Sequence, residues 1–386
     1  MTRLGDICEK IGSGATPHGG KEAYCLEGIS FVRSQNIGDF SFSANGLAYI
    51  NNEQAKKLSN VELKPNDVLL NITGDSVARA CIMDSEYLPA RVNQHVAVIR
   101  GKKDIVLSSY LLYFLQWKKK HLLQLASAGA TRNALTKSMI EQLEIELPTI
   151  EQQRKIVGVL DEIQEKIRLN QKINDNLEQQ AETLFKSWFV DFESVSNLGF
   201  IESEIGRIPH GWRVYKLSEF VPIITGKKNA NVSSDNGAYP FFSCSQDFSW
   251  TDEYSFEGHA ILVAGNGDFN VKWYNGKFEA YQRTYVLIPY IERYASWLYY
   301  AVKHNLTNIT SAARGSVIKF ITKGNLENFA FAAPKKLDDL EIIDIFNTIN
   351  HTIDILIQEN SRLVSLRNIL LPKLMSGEID VCDIQL

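Results

Sequence analysis

Cysteine is scarce in this sequence and follows no pattern. Cys8, Cys25, Cys81, Cys244 and Cys382 are the five in 386 residues, an odd number, widely scattered and never spaced as Cys-x-x-Cys. That excludes a disulfide framework and a zinc ribbon, and it fits a reducing, cytoplasmic setting. Long apolar runs are missing too. A membrane-spanning helix needs about 20 apolar residues, and the stretch from Tyr294 to Val302 is short and interrupted. The first thirty residues carry Gly, Lys and Glu without an apolar core, so no secretory signal is expected. The seven histidines are dispersed and suggest no metal site. An excess of basic charge is lacking as well: the net charge is −4, which taken alone counts mildly against a nucleic-acid binder. The remaining composition, 45% hydrophobic and 22% charged, excludes disorder and leaves room for about two domains.

Reactive constellations are equally thin. Gly12 to Lys21 is rich in glycine, but Glu22 stands where a phosphate loop needs Ser or Thr to hold magnesium. Gly265-Asn-Gly-Asp268 has too few glycines for a dinucleotide site. There is no Asn/Asp-Pro-Pro-Tyr/Phe tetrad for methylation of a base amino group. Glu62-Leu-Lys64, with Asp39 upstream, could be the remnant of a nuclease motif, but it reads more readily as a turn before a strand. No nucleophile, base and orienting group fall together, so no catalytic residue, metal site or cofactor site is assigned. The chain is expected to recognise rather than to catalyse.

What is present is a repeat. Gly129 to Pro148 aligns without a gap on Gly315 to Pro334, placing Thr136-Lys137 on Thr322-Lys323 and Glu141 on Glu327. Upstream, Ser109-Tyr-Leu-Leu-Tyr pairs with Ser296-Trp-Leu-Tyr-Tyr, and Leu4-Gly-Asp-Ile with Leu217-Ser-Glu-Phe. Downstream, Ile156, Leu160, Ile163, Ile167, Asn170, Asn174, Leu177, Ala181, Leu184 and Trp188 alternate spacings of four and three. Ile342, Phe346, Ile349, Ile353, Leu356, Asn360, Leu363, then Leu366 or Ser365, and Leu370 repeat them. Such a stripe is the signature of a coiled coil. Asn174 and Asn360 hold equivalent places in it, and they either fix its register or mark a solvated stretch.

The fold class expected is α+β. Two similar mixed α/β domains, at 1–148 and 209–334, are separated by two long antiparallel coiled-coil helices at 149–193 and 335–375, giving an internal pseudo-twofold repeat. Residues 194–208 form a linker and 376–386 a tail. Strands are expected at Val68–Ile72, Val96–Ile99, Ala260–Ala264 and Tyr285–Ile288, and aromatic-rich core helices at Ser108–His121 and Ala295–Lys303. A helix from Glu151 to Asp191 would be about 60 Å long.

Two similar domains on a spacer suit a target with two separated parts, and duplex DNA is such a target. Side chains able to read base edges or grip phosphate gather in the expected loops. In the first domain they are Arg33, Gln35, Asn36, Arg91, Asn93, Gln94, Arg132, Asn133 and Lys137. In the second they are Lys227, Lys228, Asn266, Lys272, Arg283, Arg314 and Lys319. Any one of them alone reads more readily as an ordinary solvated residue, and the duplicated loop positions make the set more credible than its members. Residues 151–193 carry nine acids against six bases, so most of the negative excess belongs to one spacer helix. The isolated chain is expected to bind DNA weakly and with a steep dependence on salt.

Several segments resemble the specificity subunit of Type I restriction-modification enzymes. Glu144-Ile-Glu-Leu-Pro148-Thr-Ile-Glu151-Gln152-Gln153-Arg154 is similar to that family's approach to its first conserved helix, and Leu184-Phe-Lys-Ser-Trp188-Phe-Val-Asp191 to its exit. Glu204-Ile-Gly-Arg-Ile-Pro209-His-Gly211-Trp212 resembles the lead into the second target recognition domain. Leu370-Leu-Pro372-Lys-Leu374-Met-Ser-Gly377-Glu378 resembles the C-terminal signature. Ser13-Gly14-Ala-Thr16-Pro17 is similar to the start of a recognition domain. The second copy lacks both that run and the Glu-Gln-Gln-Arg run, so its helix is expected to dock differently and its half-site to differ.

The resemblance implies a bipartite, gapped double-stranded DNA site, one half read by each domain. It implies two methyltransferase subunits, which bring S-adenosylmethionine, and two restriction/translocase subunits that hydrolyse ATP, with no catalysis by this chain and no cofactor of its own. Phe185, Trp188, Phe189, Leu370 and Leu374 would then be exposed partner contacts, unless they close the coiled coil. The alternatives are a coiled-coil scaffold that binds protein alone and, more remotely, a nuclease using Glu62 and Lys64.

Overall fold

The computed structural model describes residues 1–127, 133–234, 237–311 and 319–381; Arg132 and Arg314 lie outside them. Contacts divide the chain into one unit of Met1–Arg168 with Asn360–Leu386 and a second of Leu169–Glu359. The division passes through both long helices, so each globule carries with it half of each helix. That differs from a linear scheme in which whole helices alternate with globules. The physical reason is that each half-helix buries its stripe against its own globule.

The first long helix runs from Ile150 to Phe189, about 60 Å at 1.5 Å per residue. Thr149 and Gln152 cap it reciprocally: the Gln152 amide donates to Thr149 Oγ1 at 3.3 Å, and the Thr149 amide to Gln152 Oε1 at 3.1 Å. Gln153, fully buried, ties this start to the globule. It accepts from the Leu107 amide at 2.9 Å and donates to the carbonyls of Ile105 and Pro148. The two glutamines of the Glu-Gln-Gln-Arg run therefore cap the helix and tie it to the globule.

The second long helix, Ile342–Met375, starts seven residues later than the proline pattern suggested. Without the Gln pair its start is anchored differently. Arg293 grips Asp344 through two bonds of 2.8 Å and donates to the carbonyl of Asp338. The expected difference in docking between the two copies is present.

Within each unit the half-helices pair antiparallel. In the first, Asn360 Nδ2 donates to the Ile167 carbonyl at 3.3 Å and Arg367 Nη1 to Gln164 Oε1 at 2.9 Å. In the second, Asn170 Nδ2 donates to Glu359 Oε2 at 2.7 Å, while Phe185 and Phe189 meet Phe346. The stripe is corrected in one place. Leu366 is 45% exposed, and the inner position belongs to Arg367, 8% exposed, whose guanidinium lies 3.9 Å from the Phe40 ring centre. The four-three spacing points to position 367, and the charge there hides it. Arg367 fits because its stem is apolar and its fork is satisfied by Gln164 and Asn368.

The sheets repeat as well. In the first unit Cys8–Ser13, Val96–Gly101, Val68–Asn71 and Ala80–Ile82 lie side by side in that order. In the second the order is Ile224–Thr225, Thr284–Leu287, Phe256–Ala264 and Val271–Ala280, extended by Tyr239–Phe242 and Ser249–Thr251. The strand Val271–Ala280 is continuous, whereas its counterpart is split into Ala80–Ile82 and Ala90–Val92 around a turn. Pro89 in that turn cannot donate to a ladder. A second four-stranded sheet of the first unit, Ala48–Ile50, Ile29–Val32, Ala90–Val92 and Glu62–Leu63, is the result.

Behind the sheets lie the aromatic helices. Ala295–His304 buries Trp297, Tyr299 and Tyr300. The expected helix from Ser108 to His121 is instead two, Ser108–Trp117 and Lys119–Ser127, broken at Lys118. The segment expected as a bare linker holds a hairpin, Phe200–Ser203 with Gly206–Pro209.

Candidate nucleic-acid interface

The strongest structural trace of the repeat is a shelf of four backbone segments, built the same way in each unit. In the first unit Gly14 donates to the Val96 carbonyl at 2.9 Å and Ala15 to Val92 at 3.0 Å, joining segment 14–15 to segment 92–96. Ile72 donates to His95 at 3.0 Å, Leu135 to Ile72 at 2.9 Å, and Gly74 to Asn133 at 3.3 Å, adding segments 72–74 and 133–135. In the second unit the bonds run from Gly226 to Thr284 at 3.0 Å and, with the donor now on the opposite segment, from Gln282 to Lys228 at 3.0 Å. They continue from Gly265 to Arg283 at 2.8 Å, Ile321 to Gly265 at 3.0 Å, and Gly267 to Lys319 at 3.3 Å.

The segment following each shelf is duplicated too. Thr136 caps a helix at Lys137–Glu141 and Thr322 one at Lys323–Glu327, and each helix carries its Lys–Glu pair, at 3.4 and 3.3 Å. The glycine that opens the shelf is required in both units. A Cβ on Gly14 would stand 2.1 Å from the Val92 oxygen, and one on Gly226 would stand 2.0 Å from that of Ala280. Ser13-Gly14 and Thr225-Gly226 therefore perform one backbone task, although the surrounding motif is missing from the second copy.

On closely matching hydrogen-bond frameworks the two shelves display different side chains. The inner segments carry Thr73, Gln94 and His95 in the first unit, and Asn266, Gln282 and Arg283 in the second. Thr73 Oγ1 and His95 Nδ1 are 2.8 Å apart. The outer segments carry Asn133 in the first unit, and Lys227, Lys228 and Lys319 in the second. In the second unit the shelf encloses a cleft of about 310 Å3, lined by Asn266, Gln282, Arg283 and Phe320 among others. Its floor is pinned by the buried Tyr285 hydroxyl, which donates to the Ile321 carbonyl at 3.1 Å.

Of the residues singled out from sequence, Gln94, Asn133, Lys227, Asn266, Arg283 and Lys319 fall on these shelves. Others prove to be structural. Asn36 is fully buried, accepts from the Arg33 amide and donates to the carbonyls of Ser43 and Asn45. Arg33 and Gln35 both donate to the Gly46 carbonyl, closing the same loop. Arg91 is 8% exposed, donates to the carbonyls of Ala55 and Ala90, and pairs with Glu62 at 3.5 Å. Asn93 is buried and accepts from the His95 amide. Lys272 is half-buried, donates to Ser243 and Asn270, and desolvation lowers its pKa. Lys228 and Lys137 are not buried: they stay at the surface, with ion pairs to Glu253 at 2.7 Å and to Glu141 at 3.4 Å. For Arg33, Gln35, Asn36, Arg91 and Asn93 the cause is the same: a polar side chain beside a turn satisfies nearby backbone before it reaches solvent.

Of the five expected partner contacts, three are buried rather than exposed, and Trp188 and Leu370 are partly exposed. Phe185, Phe189 and Leu374 are 3, 7 and 2% exposed. The two phenylalanines stack on each other and both meet Phe346 at a tilt, Phe189 also meets Trp212 and Trp297, and Trp188 packs on the same core. Leu374, with Leu370 beside it, closes the core of the first unit. They join helix to globule. The acids of the nuclease alternative are also apart in role: Asp39 pairs with Lys119 and Gln116, and Glu62 with Arg91. Among the described residues no three His, Cys, Asp or Glu side chains gather as a metal site. No described helix is long and apolar enough to cross a membrane.

Sequence reasoning missed Thr73, His95 and Phe320. The repeat could have found them, because they take the places of Asn266, Arg283 and Ala134 in the opposite unit.

Comparison with known proteins agrees with this architecture. The sequence profile of the Type I restriction modification DNA specificity domain matches twice, over residues 1–179 and 209–364. The EcoDI specificity subunit of Escherichia coli is 38% identical over 144 residues, 37% of this chain and 32% of that protein. The MjaIX specificity subunit of Methanocaldococcus jannaschii is 24% identical over 99% of this chain and 93% of its own length. The crystal structure of the S subunit of a Type I restriction-modification system from M. genitalium shares the fold, with a TM-score of 0.58 at 15% identity, covering 97% of this chain and 95% of that one. With the same shelf built twice and the family's domain matched twice, the chain belongs to the Type I restriction-modification specificity subunits, and recognition of DNA sequence is its function.

Proposed function

We propose that each unit reads one half of a bipartite, gapped DNA site through its shelf, and that the long helices set the spacing. The observation that carries this reading is the duplicated hydrogen-bond framework with different side chains on it. A reader of two unlike half-sites needs a conserved way of approaching the duplex and a variable set of donors and acceptors. Gln94, His95 and Asn133 serve the first half, and Asn266, Gln282, Arg283 and Lys319 the second.

The chain itself is non-catalytic. It works in the cytoplasm with two methyltransferase subunits, which bring S-adenosylmethionine, and two restriction/translocase subunits. With Phe185 and Phe189 buried, the exposed apolar side chains that each unit carries on its own helix segments support a methyltransferase contact there. Leu169, Ile173, Ile355, Leu366 and Ile369 stand there between 43 and 58% exposed. Methylome sequencing with and without this gene tests the reading. A gapped methylated motif disappears on deletion; an unchanged set of motifs would overturn it.

A further inference from the structure

The order of the four segments in the second unit separates two kinds of side chain. From Lys227-Lys228 the shelf passes to Gln282-Arg283, then to Asn266, and ends at Lys319. Lysines stand on both outer segments, while a guanidinium and two amides stand on the inner ones. Arg283 is exposed, and among the described residues its side chain has no hydrogen-bond or ion-pair partner. Its backbone, by contrast, is held by the Gly265 amide at 2.8 Å, which fixes the point from which the side chain leaves. It lines the cleft with Phe320, Asn266 and Gln282. At the corresponding place in the first unit His95 is engaged with Thr73.

A free, planar, five-donor fork at the middle of a concave shelf matches the two acceptors that guanine presents side by side in the major groove. Compact ammonium groups at the margins match phosphates, which flank the groove on both sides. We propose that Arg283 is a specificity-determining residue, reading a guanine in the half-site taken by the second unit, with Lys227 and Lys319 holding phosphate on either side. This rests on the shelf being the reading surface.

The test uses the chain co-expressed with its partner methyltransferase subunit and reads the methylated motif of the genome. Arg283→Ala relaxes one G·C pair in one half of the motif, with discrimination there falling about 10- to 100-fold, and leaves the other half unchanged. Arg283→Lys keeps the charge, loses the fork and relaxes the same pair. Lys319→Ala leaves the motif as it is, weakens binding to every sequence alike and reduces the salt dependence by about one phosphate contact. The exposed position of Arg283 makes an unchanged melting temperature the control for folding. If Arg283→Ala lowers methylation evenly without relaxing any position, the residue is a phosphate contact and the proposal falls. If Arg283→Ala changes nothing while Gln282→Ala relaxes a position, the shelf stands and the guanine assignment falls. If neither changes the motif, the shelf itself is not the reader.

Discussion

Gly14 lies so close to Val92 that a Cβ on it would stand 2.1 Å from the Val92 carbonyl oxygen, and Gly226 repeats the relationship with Ala280 in the second unit. The two backbones touch because Gly14 and Ala15 close the outer edge of the shelf. Gly14→Ala must push that edge away, at a cost of about 1–3 kcal/mol. Gly12→Ala, two residues away in open space, leaves stability nearly unchanged. Denaturant titration of the two variants checks the difference, and equal midpoints would contradict the close approach.

The stacked pair Phe185 and Phe189 forms the joint between the first long helix and the core of the second unit, with ring centres 5.2 Å apart. Phe185→Ala or Phe189→Ala is expected to cost about 3–5 kcal/mol and to lower the thermal midpoint of the chain without any partner present. Leu169→Ala and Ile173→Ala, on exposed helix positions, change stability by less than about 0.5 kcal/mol and weaken association with the methyltransferase instead. Calorimetry and co-purification separate the two effects.

Asp354, on the second long helix, accepts from the Trp273 indole at 3.2 Å through both oxygens, with His259 and His351 near it. Burial raises its pKa above the ordinary 3.8, and the indole and the two histidines only partly offset this. A raised carboxyl pKa favours the folded state below 3.8, and that contribution is lost as pH rises through the folded value. Asp354→Asn cannot ionise. The stability of the variant relative to the native chain should therefore improve as pH climbs from 3.8. Urea unfolding at a series of pH values measures the trend, and a difference that moves the other way would contradict it.

Much of the fold was legible in sequence because it is duplicated. Thr136-Lys137 and Thr322-Lys323 mark the same capped helix, and the four-three spacing marks both long helices. Arg367 escaped because its charge hides a stripe position that its stem and stacking on Phe40 make tenable. The late start of the second helix escaped because its anchor is Arg293, about fifty residues upstream, which no local pattern reveals. The candidate site was legible only in part. Arg33, Asn36 and Arg91 are as polar as Gln94 and Arg283, and only the structure tells which side chains are consumed by the backbone.

The central claim is that the two shelves read separate halves of one site. The most direct measurement is the methylated motif produced by the assembled complex when one shelf at a time is altered, with Gln94→Ala and His95→Ala on the first or Gln282→Ala on the second. Relaxation confined to one half by the first pair of changes, and to the other half by the second, is the predicted result. Relaxation of both halves by either change, or of neither, would contradict it.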